Sequence, residues 1–130
     1  MVKCKLQSML QQQSRANVAD NTGAKIAYLI KVPGGIRRRY ASIGDEVVVS
    51  IKVASPRGVV KRKSIQKAVI VRTRQPYRRK DGTDIRFDDN AVIIIDTEKN
   101  PKGTRVFGPI PRELKDFGYQ KIISLAPEVV

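Results

Sequence analysis

The stretch Glu46-Val47-Val48-Val49-Ser50-Ile51-Lys52-Val53-Ala54 alternates residue by residue. Val47, Val49, Ile51 and Val53 fall on one side and Val48, Ser50, Lys52 and Ala54 on the other, a period of two that an extended strand turns into one buried and one half-exposed face. β-branched side chains dominate, and these pack well on a pleated surface. Upstream, Ala16–Asp20 and Lys25–Val32 have the same Val- and Ile-rich texture, as do Lys67–Thr73 and Ala91–Asp96 downstream. Between and after these segments stand Asn21-Thr22-Gly23, Pro33-Gly34-Gly35, Ser42-Ile43-Gly44-Asp45, Ser55-Pro56-Arg57-Gly58 and Asp81-Gly82. Each supplies the preset or positive φ that a chain reversal needs. Five short strands at this spacing predict a mainly β fold, a small five-stranded β-barrel that closes its own sheet edges.

Two segments depart from that texture. Gln75–Phe87 is extended, with Tyr77-Arg78-Arg79-Lys80-Asp81-Gly82 at its tip and Asp-Gly as the turn, which predicts a projecting β ribbon. Near the end, Pro111 suits a first helical position, Glu113 a first turn and Gly118 a C-terminal cap. Tyr119–Ala126 brings Ile122, Ile123 and Ala126 close to helical spacing, and Pro127 would stop it. The C-terminal region is therefore expected to hold two short helices. At 130 residues the chain has the size of one domain, expected over 16–130, with residues 1–15 as an N-terminal extension.

Charge is distributed unevenly along this framework. Between Asn21 and Lys80 there are sixteen Lys and Arg against only Asp45 and Glu46, a surplus of +14 that equals the net charge of the whole chain. Every residue from Val47 to Lys80 is neutral or basic. Such asymmetry predicts a polyanionic partner. The cations gather in three clusters: Arg37, Arg38 and Arg39 with Tyr40; Arg57 with Lys61, Arg62 and Lys63; and Arg78, Arg79 and Lys80 with Tyr77. All fall on expected loops or tips of one small barrel, an arrangement read as gripping folded RNA from one side. Like charges packed onto such loops repel unless a polyanion neutralises them. Arginine forks suit bidentate phosphate contacts, and Tyr40 and Tyr77 can either stack on unpaired bases or cover the barrel rim. With aromatics few and in no repeated surface pattern, recognition by shape and backbone is favoured over reading of a single-stranded sequence.

Other chemistries lack their parts. The chain has no histidine and one cysteine, Cys4, so neither a zinc site, an internal disulfide nor a nucleophilic triad can be assembled, and no cofactor is expected. Asp81, Asp84, Asp88 and Asp89 suit Mg²⁺ in donor type, but the stronger reading makes Asp81 a turn residue and leaves the others solvated or paired with Arg86 across the ribbon. No apolar run approaches the ~18 residues of a membrane span, and neither a membrane nor a small-molecule substrate is expected.

Several motifs converge on one family. Ala68-Val69-Ile70-Val71, Asp81-Gly82, Phe87, Asn90 and Ile93-Ile94 have a spacing that resembles the signature of large ribosomal subunit protein fourteen. The likeness extends through Asn17-Val18-Ala19-Asp20-Asn21-Thr22-Gly23-Ala24, Arg38-Arg39-Tyr40-Ala41, Gly103-Thr104-Arg105, Phe107-Gly108-Pro109, Arg112-Glu113-Leu114 and Lys121 to Val130, in order, and covers Ala16 to Val130. The short form resembles the bacterial or organellar branch. Ile93 stands where the family more often has Val, and residues 1–15 run longer than a typical bacterial start. The resemblance implies a five-stranded barrel with a ribbon and two small C-terminal helices, and a scaffolding protein without catalytic activity. It implies binding to large-subunit rRNA, proximity to large-subunit proteins three and nineteen, and a bridge to small-subunit rRNA at the subunit interface. It also implies docking of a ribosome silencing factor on the C-terminal surface, at Thr104, Arg105 and Lys121, in a bacterial cytoplasm, mitochondrial matrix or plastid stroma. The rival readings are a free cold-shock or OB-type RNA-binding barrel and a Mg²⁺-dependent nuclease built on Asp84, Asp88 and Asp89.

Overall fold

The structure, a computed structural model, describes residues 10–11, 15–32, 40–41, 43–74, 76–78 and 81–130. Arg37, Arg38, Arg39, Arg79, Lys80 and Cys4 lie outside the described residues. Strands β1 (Leu10–Gln11), β2 (Arg15–Val18), β3 (Ala24–Lys31), β4 (Tyr40–Ala41), β5 (Glu46–Ala54) and β6 (Ile65–Arg72) come first. They are followed by β7 (Tyr77–Arg78), β8 (Asp84–Ile85), β9 (Ala91–Ile95), β10 (Pro109–Ile110), a 3-10 turn (Arg112–Lys115), helix α1 (Gln120–Leu125) and β11 (Glu128–Val129). Among the described residues, β2, β3, β5, β6 and β9 close into the five-stranded barrel in that order. Neighbours are antiparallel except at the closure, where β2 runs parallel to β9.

The strand periodicity explains the interior. Ala27 and Leu29 of β3, Val47, Val49 and Ile51 of β5, Ala68 and Ile70 of β6, and Val92 and Ile94 of β9 fill the barrel. Val53 departs from the expected face and is 43% exposed. The cause lies in the register: Ala27 pairs with Ile51 but Ile26 pairs with Val53, so β5 carries one extra residue at Lys52 and the alternation inverts there.

A second core lies outside the barrel wall. Val69 and Val71 of β6 and Ile93 and Ile95 of β9 point outward and are covered by Val106, Ile110, Leu114, Tyr119 and Ile122 of the C-terminal region. Both faces of β9 are therefore dry, which is why Ala91-Val92-Ile93-Ile94-Ile95 is a continuous apolar run instead of an alternating one.

The C-terminal region corrects two expectations. The first of the two short helices is a single 3-10 turn, and Pro111, extended at φ −76° and ψ 145°, stands one residue ahead of it. Its bonds run three residues back, from Asp116 N to Glu113 O at 3.0 Å and Gly118 N to Lys115 O at 3.2 Å. Gly118 at φ +92° then reverses the chain before another turn can form. The second is the six-residue α1. The ribbon forms as expected, with Tyr77 opposite Ile85 and Arg78 opposite Asp84. Its turn is held by Asp81 Oδ1, which accepts from Thr83 N and Thr83 Oγ1 at 3.1 and 2.7 Å. Within the segment read as an extension, Leu10 and Gln11 pair with Ala41 and Tyr40.

Candidate nucleic-acid interface

Arg57, Lys61, Arg62 and Lys63 are exposed and share the connection from β5 to β6. The loop is held along its length. Ser55 N donates to Gly23 O at 2.8 Å, Gly58 N to Ser55 O at 3.1 Å and Val60 N to Thr22 O at 3.2 Å, while Val60 plugs the barrel end with its buried side chain. Lys63 adopts φ +66° so that its N–H reaches Ile51 O at 2.7 Å. The Ser64 hydroxyl and amide both return to Lys61 O. Four cations thus project from a backbone whose shape is already set, which limits the ordering entropy that a ligand must offset.

The turn beneath that loop, Asp20 to Gly23, organises more than the sequence suggested. Thr22 and Gly23 hold the basic loop by their carbonyls. Asn21 Oδ1 accepts from Thr104 N at 2.8 Å and Arg105 N at 3.1 Å, and Asn21 Nδ2 donates to Thr104 Oγ1 at 2.8 Å. Asp20 is buried and accepts from Thr22 Oγ1 at 2.6 Å, Thr22 N at 3.3 Å and Ile94 N at 3.0 Å. Burial raises its carboxyl above the ordinary value despite those three bonds. One turn therefore brings Thr104 and Arg105 to the barrel end that carries Arg57, Lys61, Arg62 and Lys63. The Asp-Asn-Thr-Gly string was legible only as a reversal; the partners of Asp20 and Asn21 at Ile94, Thr104 and Arg105 lie more than seventy residues away.

Among the described residues, the Arg57–Lys63 cluster and Arg78 do not share one side. Antiparallel pairing sends the β5–β6 connection to one end of the barrel and the β6–β9 connection, with the ribbon, to the other. Arg78 is exposed on that ribbon, opposite in barrel terms to Arg57 and Lys63. Tyr40 lies on β4, beside Gln11. Lys121 is exposed on α1 and is not among the groups gathered by Asn21.

The ribbon carboxylates have separate attachments. Asp89 pairs with Arg72, not across the ribbon with Arg86: Arg72 Nε lies 3.2 Å from Asp89 Oδ1, close enough for an ion pair though not aligned as a hydrogen bond. At Asp88 the bond is to the main chain, Arg74 Nε donating to its backbone carbonyl at 2.9 Å and not to its carboxylate. Among the described residues no three carboxylate, thiol or imidazole groups converge as metal ligands would. The family whose model matches this chain is described as ribosomal protein L14p/L23e, and the match runs over residues 9–130.

Proposed function

The chain belongs to the ribosomal protein L14p/L23e family and is a ribosomal protein of the large subunit; from that premise we propose that it binds large-subunit rRNA as a scaffold. The observation that carries the reading is the pinned loop bearing Arg57, Lys61, Arg62 and Lys63. Cations held at set spacings replace counterions along phosphate backbones, so affinity comes from released salt and orientation comes from the barrel. The same reading gives Arg37, Arg38, Arg39, Tyr40, Arg79 and Lys80 to rRNA. It places Arg78, on the projecting ribbon at the far end, toward the small-subunit rRNA of an intersubunit bridge. Thr104 and Arg105, fixed by Asn21, and Lys121 are assigned to protein contacts: large-subunit proteins three and nineteen, or a silencing factor. The proposed role requires no catalytic residue and no cofactor, in a bacterium or an organelle.

The test is co-sedimentation through a high-salt wash. A built-in subunit protein stays with large subunits, whereas a free RNA chaperone dissociates as counterion-driven binding weakens. Recovery of the chain only in the ribosome-free fraction overturns the proposal. Neutralising Arg57, Lys61, Arg62 and Lys63 together should reduce the salt slope of rRNA binding by roughly three.

A further inference from the structure

The barrel wall opposite the C-terminal region presents a row of side chains that none of the three loop clusters includes. Arg15 pairs with Tyr28, Tyr28 with Ser50, and Ser50 with Ile65, so these residues lie side by side across β2, β3, β5 and β6. The flanking residues Ala16, Ala27, Leu29, Val49 and Ile51 fill the barrel, which turns Arg15, Tyr28 and Ser50 outward. The β5 irregularity at Lys52 adds to the row. Lys52 Nζ sits 5.0 Å from the centre of the Tyr28 ring. Ile65 is 68% exposed at the end of the row, a large apolar residue left in water.

Cations outnumber carboxylates on this wall. Arg15, Lys25, Lys31, Lys52 and Lys67 are exposed on the four strands, and Glu46, the one carboxylate within them, faces Lys67 at 3.9 Å; Arg72 is buried and turned to the C-terminal region. The wall also spans the distance between the barrel end carrying Arg57 and Lys63 and the end carrying Arg78, roughly 30 Å for a nine-residue strand. A polyanion that runs along the strands from the Arg57–Lys63 end meets this row. A flat array of cation, aromatic ring, hydroxyl and aliphatic side chain suits an unpaired strand, whose phosphates meet Arg15 and Lys52 while bases and riboses lie on Tyr28 and Ile65.

We infer that the outward row Arg15–Tyr28–Ser50–Ile65, with Lys52, is a platform for a single-stranded rRNA segment of roughly four nucleotides, the lower end of what one small barrel covers. The inference rests on the rRNA-binding reading above and adds a separate contact of a different kind. Its test uses the full chain, a labelled unstructured oligouridylate octamer, and large-subunit rRNA. Tyr28→Leu keeps apolar volume but removes the aromatic face, and Lys52→Glu reverses charge at an exposed position. Each should weaken octamer binding about tenfold. Neutralising Arg57, Lys61, Arg62 and Lys63 should instead weaken binding of rRNA while leaving octamer affinity within threefold of the parent. Ultraviolet irradiation of assembled large subunits should yield the Tyr28 peptide covalently joined to a nucleotide. Octamer binding unchanged in both wall variants, or a Tyr28 peptide crosslinked to protein, overturns the platform. rRNA binding unchanged in the loop variant overturns the underlying reading instead.

Discussion

A Cβ built on Gly23 would stand 2.6 Å from the Cα of Gly58, because the β2–β3 turn and the basic β5–β6 loop cross backbone against backbone. Gly23 also sits at φ +94°, where an L side chain is strained. Gly23→Ala therefore meets both penalties, the strain and the collision, and should destabilise the protein by about 2 kcal/mol or more. Thermal unfolding checks it. A loss under about 0.5 kcal/mol, the scale of an ordinary surface substitution, would contradict the crossing.

Lys63 separates stability from binding. It holds φ +66° as a non-glycine residue, strain that glycine would remove. Lys63→Gly should stabilise the fold by about 0.5–1 kcal/mol and at the same time reduce the rRNA salt slope by up to about 0.9, as one phosphate contact is lost. Denaturant unfolding and salt titration read the two effects independently. Movement of both in the same direction would argue against a functional reason for the strained lysine.

Asp20 gives the fold a pH signature. Burial raises its folded carboxyl above the ordinary value of 3.8, so protonation is easier in the folded than in the unfolded chain. Its contribution to stability is fully present below the unfolded pKa and is lost as pH rises through the raised folded one. Asp20→Asn removes that titration and turns one acceptor into a donor facing either Thr22 or the Ile94 amide, costing about 1–3 kcal/mol. That cost should be largest at low pH and shrink as pH climbs above the carboxylate's ordinary range. Unfolding curves across the acidic range measure it.

Arg72 ties the C-terminal region to the barrel. Its Nη1 donates to Phe107 O at 3.0 Å and Pro109 O at 3.3 Å, and Gly108 between them, at φ +80°, leaves no room for a Cβ beside the guanidinium. Arg72→Lys keeps the charge but loses the fork and should cost about 1–3 kcal/mol. Hydrogen exchange should accelerate over 106–130 more than in the barrel strands. Uniform acceleration would mean that the arginine supports the barrel instead.

The strands were readable because burial on one face imposes a period of two, as in Val47, Val49 and Ile51. Val53 escaped that reading because a bulge depends on two strands in register, and the sequence of one strand carries no record of its partner. The ribbon was readable from Asp81-Gly82, a local turn. The first C-terminal helix was misjudged because Pro111 and Gly118 mark a helical stretch without setting its hydrogen-bond spacing. Arg57, Lys61, Arg62, Lys63 and Arg78 entered the proposed interface by charge alone, since charge needs no structure to be counted. Arg15, Tyr28 and Lys52 were passed over because they are separated by ten or more residues, and only pairing makes them neighbours.

Fold class, the segments that become strands and the expectation of a polyanionic partner all follow from local periodicity and composition. Where the described charges stand depends on strand pairing. Antiparallel closure put Arg57 and Arg78 at opposite ends of the barrel, and the Asp20–Gly23 turn brought Arg105 to the end that carries Arg57. Side-chain period and charge are properties of neighbours along the chain. Direction around a closed sheet, and the hydrogen bonds that buried groups such as Asp20 must find, are properties of neighbours in space.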